Sequence, residues 1–167
     1  MKAETPTILP MKQKLSVSLE SPQHGFMSLR LKTAGQSFVT VVSHSPYDSL
    51  RDLIEALSAV LDGDCERTVN WNSEPDEYDF RLKAHGGHLL LEVVHYPDHR
   101  RLPDTASTVF TFQGPKTDAC WTFLNELRDL QSRAGRDEFD RQWRRAFPER
   151  ELQELTKRME PSGAPHD

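Results

Sequence analysis

The sequence predicts an α+β fold, an antiparallel β-sheet with helices packed on one face. Three observations carry that expectation. Apolar and polar residues alternate along a series of short segments, tight Gly- or Pro-containing turns join those segments, and the apolar period changes to that of a helix after the third segment and again through the C-terminal third. The predicted order is β-β-β-α-β-β-β-β-α-α-α.

Leu15, Val17 and Leu19 alternate with Ser16 and Ser18, the pattern of a half-buried strand. After the turn Ser21-Pro22-Gln23-His24-Gly25, Met27, Leu29 and Leu31 alternate with Ser28, Arg30 and Lys32. Ala34-Gly35-Gln36 reverses the chain into Phe38, Thr40 and Val42. Whether the two-residue loop is Ala34-Gly35 or Gly35-Gln36, Leu29 and Leu31 share a face with Phe38 and Val42. Ser45-Pro46-Tyr47-Asp48 then offers a hydroxyl cap and a proline for a first helix. Leu50, Leu53, Ile54, Leu57, Val60 and Leu61 form its apolar stripe, and Gly63 ends it.

A second group of strands starts near Thr68–Trp71. Its best-defined part, Tyr78 to Val94, folds about Gly86-Gly87, whose residues tolerate the positive φ of a hairpin turn. That register sets Leu82 against Leu91, Phe80 against Val93, Tyr78 against His95, and Arg81 against Glu92 on the other face. Thr108, Phe110 and Phe112 suggest the last strand, closed by Gly114-Pro115. Helical stripes follow at Cys120, Phe123, Leu124, Leu127 and Leu130, at Phe139, Trp143 and Phe147, and at Leu152, Leu155 and Met159.

One domain over residues 13–160 accounts for all of these elements, with residues 1–12 read as a loose leader and 161–167 as a frayed tail. A chain of 167 residues buries roughly 70% of the surface of its unfolded form. Its net charge of −5 supplies no cationic field for nucleic acid or an anionic membrane. Between Glu126 and Arg158 nine basic residues interleave with eight acidic ones, the composition of a salt-bridged solvated face. No apolar run is long enough for a signal sequence or a membrane span. Cys65 and Cys120, two cysteines with no Cys-x-x-Cys spacing, suit a reducing compartment, so the expected location is cytoplasmic.

Two groups of residues draw attention as sites. His85, His88, His95 and His99 cluster in sequence, but His88 and His95 are seven residues apart on one strand and project from opposite faces. One ion with ligands about 2.0–2.1 Å away cannot bridge a sheet, so no metal and no cofactor is expected. His95, Asp98 and His99 remain as a smaller grouping. The second group is acidic: Asp62, Asp64 and Glu66 after the first helix, then Glu74, Asp76 and Glu77 before the hairpin. With Trp71, expected to be partly exposed beside an Asn-Ser-Glu-Pro turn, they make a candidate docking surface for a basic partner protein. No Gly-x-Ser-x-Gly or Gly-rich phosphate loop occurs, and no catalytic residue is assigned.

The leading expectation is therefore a non-enzymatic protein-interaction module. In layout alone the chain resembles the small α+β immunity and adaptor proteins of bacteria, and no residue roles follow from that likeness. The alternative is a small metal-assisted hydrolase with a pocket near His95, Asp98 and His99. An exposed sheet edge or face would also admit a homodimer.

Overall fold

The computed structural model describes residues 13–160; the leader at 1–12 and the tail at 161–167 lie outside the described residues. The elements follow the predicted order: β1 (Ser16–Leu19), β2 (Phe26–Thr33), β3 (Gln36–Ser43), α1 (Ser49–Asp62), β4 (Cys65–Ser73), β5 (Asp76–His85), β6 (His88–Tyr96), β7 (Ser107–Pro115), α2 (Lys116–Arg133), α3 (Arg136–Trp143) and α4 (Glu149–Met159). A short 3-10 turn at Pro103–Thr105 interrupts the β6–β7 connection. Among the described residues no helix is long and apolar enough to cross a membrane.

The strands divide into two antiparallel sheets, β1-β2-β3 and β4-β5-β6-β7. Both expected hairpins hold in register: Leu31 opposes Phe38, Phe80 opposes Val93, and Arg81 opposes Glu92. β3 runs obliquely across the inner face of the four-stranded sheet. At one end the Gln36 side chain bonds the main chain of Thr111 on β7. In the middle Phe38 packs edge-on against Tyr78 and Phe80 of β5. Beyond it, Thr40 Oγ bonds Ser73 Oγ at the end of β4, 2.9 Å away. Helices α1 and α2 cover the rest of that face, and α4 packs against both of them.

The core follows from the alternations. Leu50, Leu53, Ile54, Leu57 and Val60 of α1 are buried against inner-face side chains such as Val69, Phe80, Leu82, Leu91 and Phe110. Each such aliphatic or aromatic side chain contributes roughly 1.5–3 kcal/mol by leaving water.

Local corrections have identifiable causes. Helix α1 begins at Ser49 with no side-chain cap, so Ser45 and Pro46 lie outside it. The Ser45 carbonyl instead accepts the Asn72 amide at 2.7 Å, which straps the segment to β4. Thr108 is exposed and opposes Val94, because the register of β6 and β7 shifts between Val93 and Val94 and moves it off the face of Phe110 and Phe112. Helix α3 stops at Trp143, with Arg144 left-handed. Phe147 regains the stripe through a turn: its N–H donates to Asp140 Oδ1 at 2.8 Å, and its ring meets Phe139 edge-on at 5.0 Å.

Candidate functional site

The outer face of the four-stranded sheet carries charged residues that are nevertheless buried. Glu77 and Asp79 alternate with the inward Tyr78 and Phe80 along β5 and therefore point outward, yet they are only 3% and 6% exposed. The connection from β6 to β7 covers them. Arg101, left-handed at φ +48°, turns its guanidinium down onto the sheet. Its Nε donates to Glu77 Oε1 at 2.8 Å, its Nη1 to Asp79 Oδ1, and its Nη2 lies 2.7 Å from Glu77 Oε1.

Two tyrosines flank the cation, with the guanidinium carbon 5.4 Å from the ring centre of Tyr47 and 5.3 Å from that of Tyr96, within cation–π range. The Tyr47 hydroxyl donates to Glu77 Oε1 at 2.8 Å, and Asn70 Nδ2 donates to Asp79 Oδ1 at 2.8 Å. Arg81 Nη2 stands 3.7 Å from Asp79 Oδ2 and donates to the Tyr96 hydroxyl at 2.9 Å. Two carboxylates thus face two guanidiniums, and the buried oxygens have donors.

Burial opposes the charge on Arg101, but hydrogen bonds from it to Asp79, Tyr47 and Glu77, together with the Asp79 charge, outweigh burial and hold the guanidinium above its ordinary value. The Tyr47 phenol is pushed up by burial and by its bond to Glu77. It keeps its proton at neutral pH and acts as a donor.

Beside this cluster opens a cleft of about 570 Å³ lined by Pro46, Tyr47, Asn72, Glu74, Pro75, Glu77, Asp98 and His99. Three structural segments build it: the approach to α1, the β4–β5 turn, and the start of the β6–β7 connection. Asn72 fixes two of them, donating to the Ser45 carbonyl at 2.7 Å and accepting the Glu74 N–H at 3.1 Å. Asp98 is held by Arg100, whose Nη2 donates at 2.8 Å; those hydrogen bonds keep its carboxyl below the usual range. Three carboxylates thus line the cleft: Glu77 and Asp98 are paired with Arg101 and Arg100, whereas exposed Glu74 makes no ion pair among the described residues and is the carboxylate placed to meet an incoming cationic group.

The structure disperses the acidic surface expected from sequence. Asp62, Asp64 and Glu66 lie around the α1–β4 turn and the first residues of β4, whereas Glu74, Asp76 and Glu77 lie beyond its far end, about 27 Å along the strand. Asp62 pairs with Arg158 at 3.0 Å. Asp64 accepts the Gly86 N–H at 3.1 Å and approaches His85 at 3.3 Å, and Glu66 is exposed. Trp71 is wholly buried, a correction to its expected exposure: it opposes Tyr78 and tilts against Phe80 in the core. Only Glu74 and Glu77 of that group reach the cleft.

The histidines are separated too. β6 runs unbroken from His88 to Tyr96, so His88 and His95 project oppositely. His95 bonds Asp76 at 2.7 Å and its ring lies tilted against that of Tyr78, on the other side of the sheet from Asp98 and His99. Among the described residues no group of three or more His, Cys, Asp or Glu side chains could hold a metal ion.

Arg101, Tyr47 and Tyr96 escaped the sequence reading. Period-two alternation carried a partial signal, since it places Glu77 and Asp79 on one face of a strand whose other face is apolar. Nothing local marks Arg101 as their partner. What fold and site together define is an α+β domain with a charged loop clamp beside an acidic cleft. Comparison with protein-family models, with curated proteins and with solved structures found no match to this chain.

Proposed function

We propose that this chain is a non-enzymatic interaction module that receives a basic segment of a partner protein in the cleft beside Tyr47. The observation that carries the reading is the cleft itself, where Glu74, Glu77 and Asp98 surround a concavity of about 570 Å³. Its frame is pre-organised: Glu77 is fixed by Arg101 and Tyr47, and Asn72 ties the turn to the α1 approach. A rigid acidic recess loses little entropy on capturing a lysine or arginine side chain, and complementary charge speeds encounter.

A reducing, cytoplasmic setting suits the same reading, because Cys65 and Cys120 are both free and burial pushes the Cys120 thiol up to about 12.

The test is binding of a partner captured from the native cells, identified, and titrated against the purified protein. Affinity should fall at least tenfold between about 0.1 and about 1 M salt, over which the screening length drops from about 10 to about 3 Å. A Glu74→Lys/Asp98→Asn variant should lose binding while keeping its melting temperature. Unchanged affinity in that variant would place the interface elsewhere and remove the cleft from the reading.

A further inference from the structure

The sheet edges of this protein are treated unequally. On β1, the Leu19 N–H donates to Glu126 of α2 at 2.7 Å and its carbonyl accepts Arg133 at 2.6 Å. On β7, the Thr111 N–H and carbonyl are both taken by the Gln36 side-chain amide, and beyond it the pairing register with β6 shifts. On β4, the Asn70 carbonyl accepts the Ser49 hydroxyl. Such plugs are how proteins keep exposed strands from pairing with other chains.

Among the described residues, β3 has no such plug at its centre. The His44 N–H donates to the Gly25 carbonyl at 2.9 Å, which sets the even-numbered residues of β3 facing β2 and the main chain of Ser37, Val39 and Val41 facing away. Among the described residues no hydrogen bond from another element reaches Val39 or Val41. The two residues are 49% and 52% exposed, with side chains on the face opposite the buried Phe38 and Val42. The whole strand, Gln36-Ser37-Phe38-Val39-Thr40-Val41-Val42-Ser43, has no charge, glycine or proline to oppose pairing.

We propose that β3 is a homodimer edge, pairing antiparallel with β3 of a second copy about a two-fold axis at Val39. Ser43 is buried by its own chain, so the usable ladder is Ser37, Val39 and Val41, and an axis through the middle residue uses all three. Val39 then faces its symmetry mate, Val41 faces Ser37 of the partner, and each of these pairs exchanges two main-chain hydrogen bonds. The two three-stranded sheets join into one of six strands.

A second copy is the occupant that the charges favour. The uncharged strand meets no like charge when paired with itself. Arg30, opposite Val39 on β2, comes no nearer its mate than three strand spacings, about 14 Å, beyond the screening length of about 8 Å at physiological salt. The surface is separate from the Tyr47 cleft, so failure of one reading leaves the other standing.

Sedimentation equilibrium of the full chain across about 1 µM to about 1 mM should show a mass rising toward twice 19.2 kDa. Val39→Lys, which opposes like charges at the axis, should leave only monomer with the melting temperature of dilute wild-type protein. Ser37→Lys/Val41→Lys should do the same, whereas Ser37→Lys/Val41→Glu, which pairs opposite charges across the interface, should dimerise. A wild-type chain that stays monomeric to the highest concentration overturns the proposal. So does a dimer that Val39→Lys leaves intact, or one that the two double variants affect alike.

Discussion

Replacing Arg101 by methionine keeps much of the side-chain volume and removes the cation shared by Glu77 and Asp79. Both carboxylates are almost fully buried, so the substitution leaves two negative charges on the sheet that, among the described residues, face only Tyr47, Asn70 and the more distant Arg81. Removing one partner of a buried ion pair costs about 3–5 kcal/mol, because the remaining charge is left uncompensated. The Arg101 side chain keeps 19% of its exposure, which points to the lower end, about 3 kcal/mol. For a chain of this size that corresponds to a melting temperature lower by about 6–12 °C.

Urea and thermal unfolding followed by tryptophan fluorescence measure the loss directly, since Trp71 and Trp143 are buried and report on the core. A second variant, Arg101→Met/Glu77→Gln/Asp79→Asn, removes the stranded charges along with the cation. The uncompensated charges are what make the single variant costly, and the amides introduced at positions 77 and 79 keep acceptors for the Tyr47 and Asn70 donors, so this variant should recover at least half of the loss. A loss below about 1 kcal/mol for Arg101→Met, the range of a solvent-exposed pair, refutes the reasoning, as does a triple variant no more stable than the single one.

Gly25→Ala should destabilise by about 1–2 kcal/mol or more in the same unfolding assay: Gly25 has φ +84° and a Cβ there would lie 2.7 Å from His44 Nδ1. Phe147→Ala should cost about 3–5 kcal/mol, as a core residue would, although Phe147 lies outside any helix. Iodoacetamide at pH 8 should label half-exposed Cys65 and spare Cys120 until the chain unfolds, as mass spectrometry of the digested protein would show. Because burial raises the Cys120 thiol from 9.0 to about 12, its contribution to stability is present below pH 9 and is lost as pH rises through 12; alkaline titration of the melting temperature should be shallower in Cys120→Ala.

The parts of this fold that were legible in the sequence are those whose signals are local. Gly86-Gly87 and the alternation on either side fix the β5–β6 hairpin to the residue, because a one-residue slip would send Phe80, Leu82 and Leu91 into solvent. The α1 stripe is equally self-contained. Division into two sheets depends instead on β3 crossing an inner face contributed by residues up to 75 positions away, as the Gln36–Thr111 bond illustrates. At Trp71 the polar turn that follows points to exposure, whereas its place two residues beyond Val69 on the same strand face puts it in the core. The acidic stretches looked continuous only in sequence, where β4 does not hold their ends apart.

Arg101 makes the same point about the site. It lies 24 positions from Glu77 and 22 from Asp79, and its neighbours Arg100 and His99 give no indication which of them turns inward. Once the connection folds over the sheet, the choice has a physical basis, since a positive φ at Arg101 directs that side chain onto the carboxylates while Arg100 stays with Asp98. Clamp and recess are thereby separable in experiment. Glu74→Lys changes the sign of the cleft wall without touching the buried cluster, so it should abolish capture of a basic partner and leave the melting temperature within about 0.5 kcal/mol of wild type, the usual range for a surface change. Arg101→Met should lower both together, because Glu77, the floor of the cleft, loses the partner that holds it in place. If Arg101→Met lowered stability by the expected amount yet bound the partner with undiminished affinity well below its melting temperature, the buried cluster would serve the fold alone and recognition would have to reside in the rim.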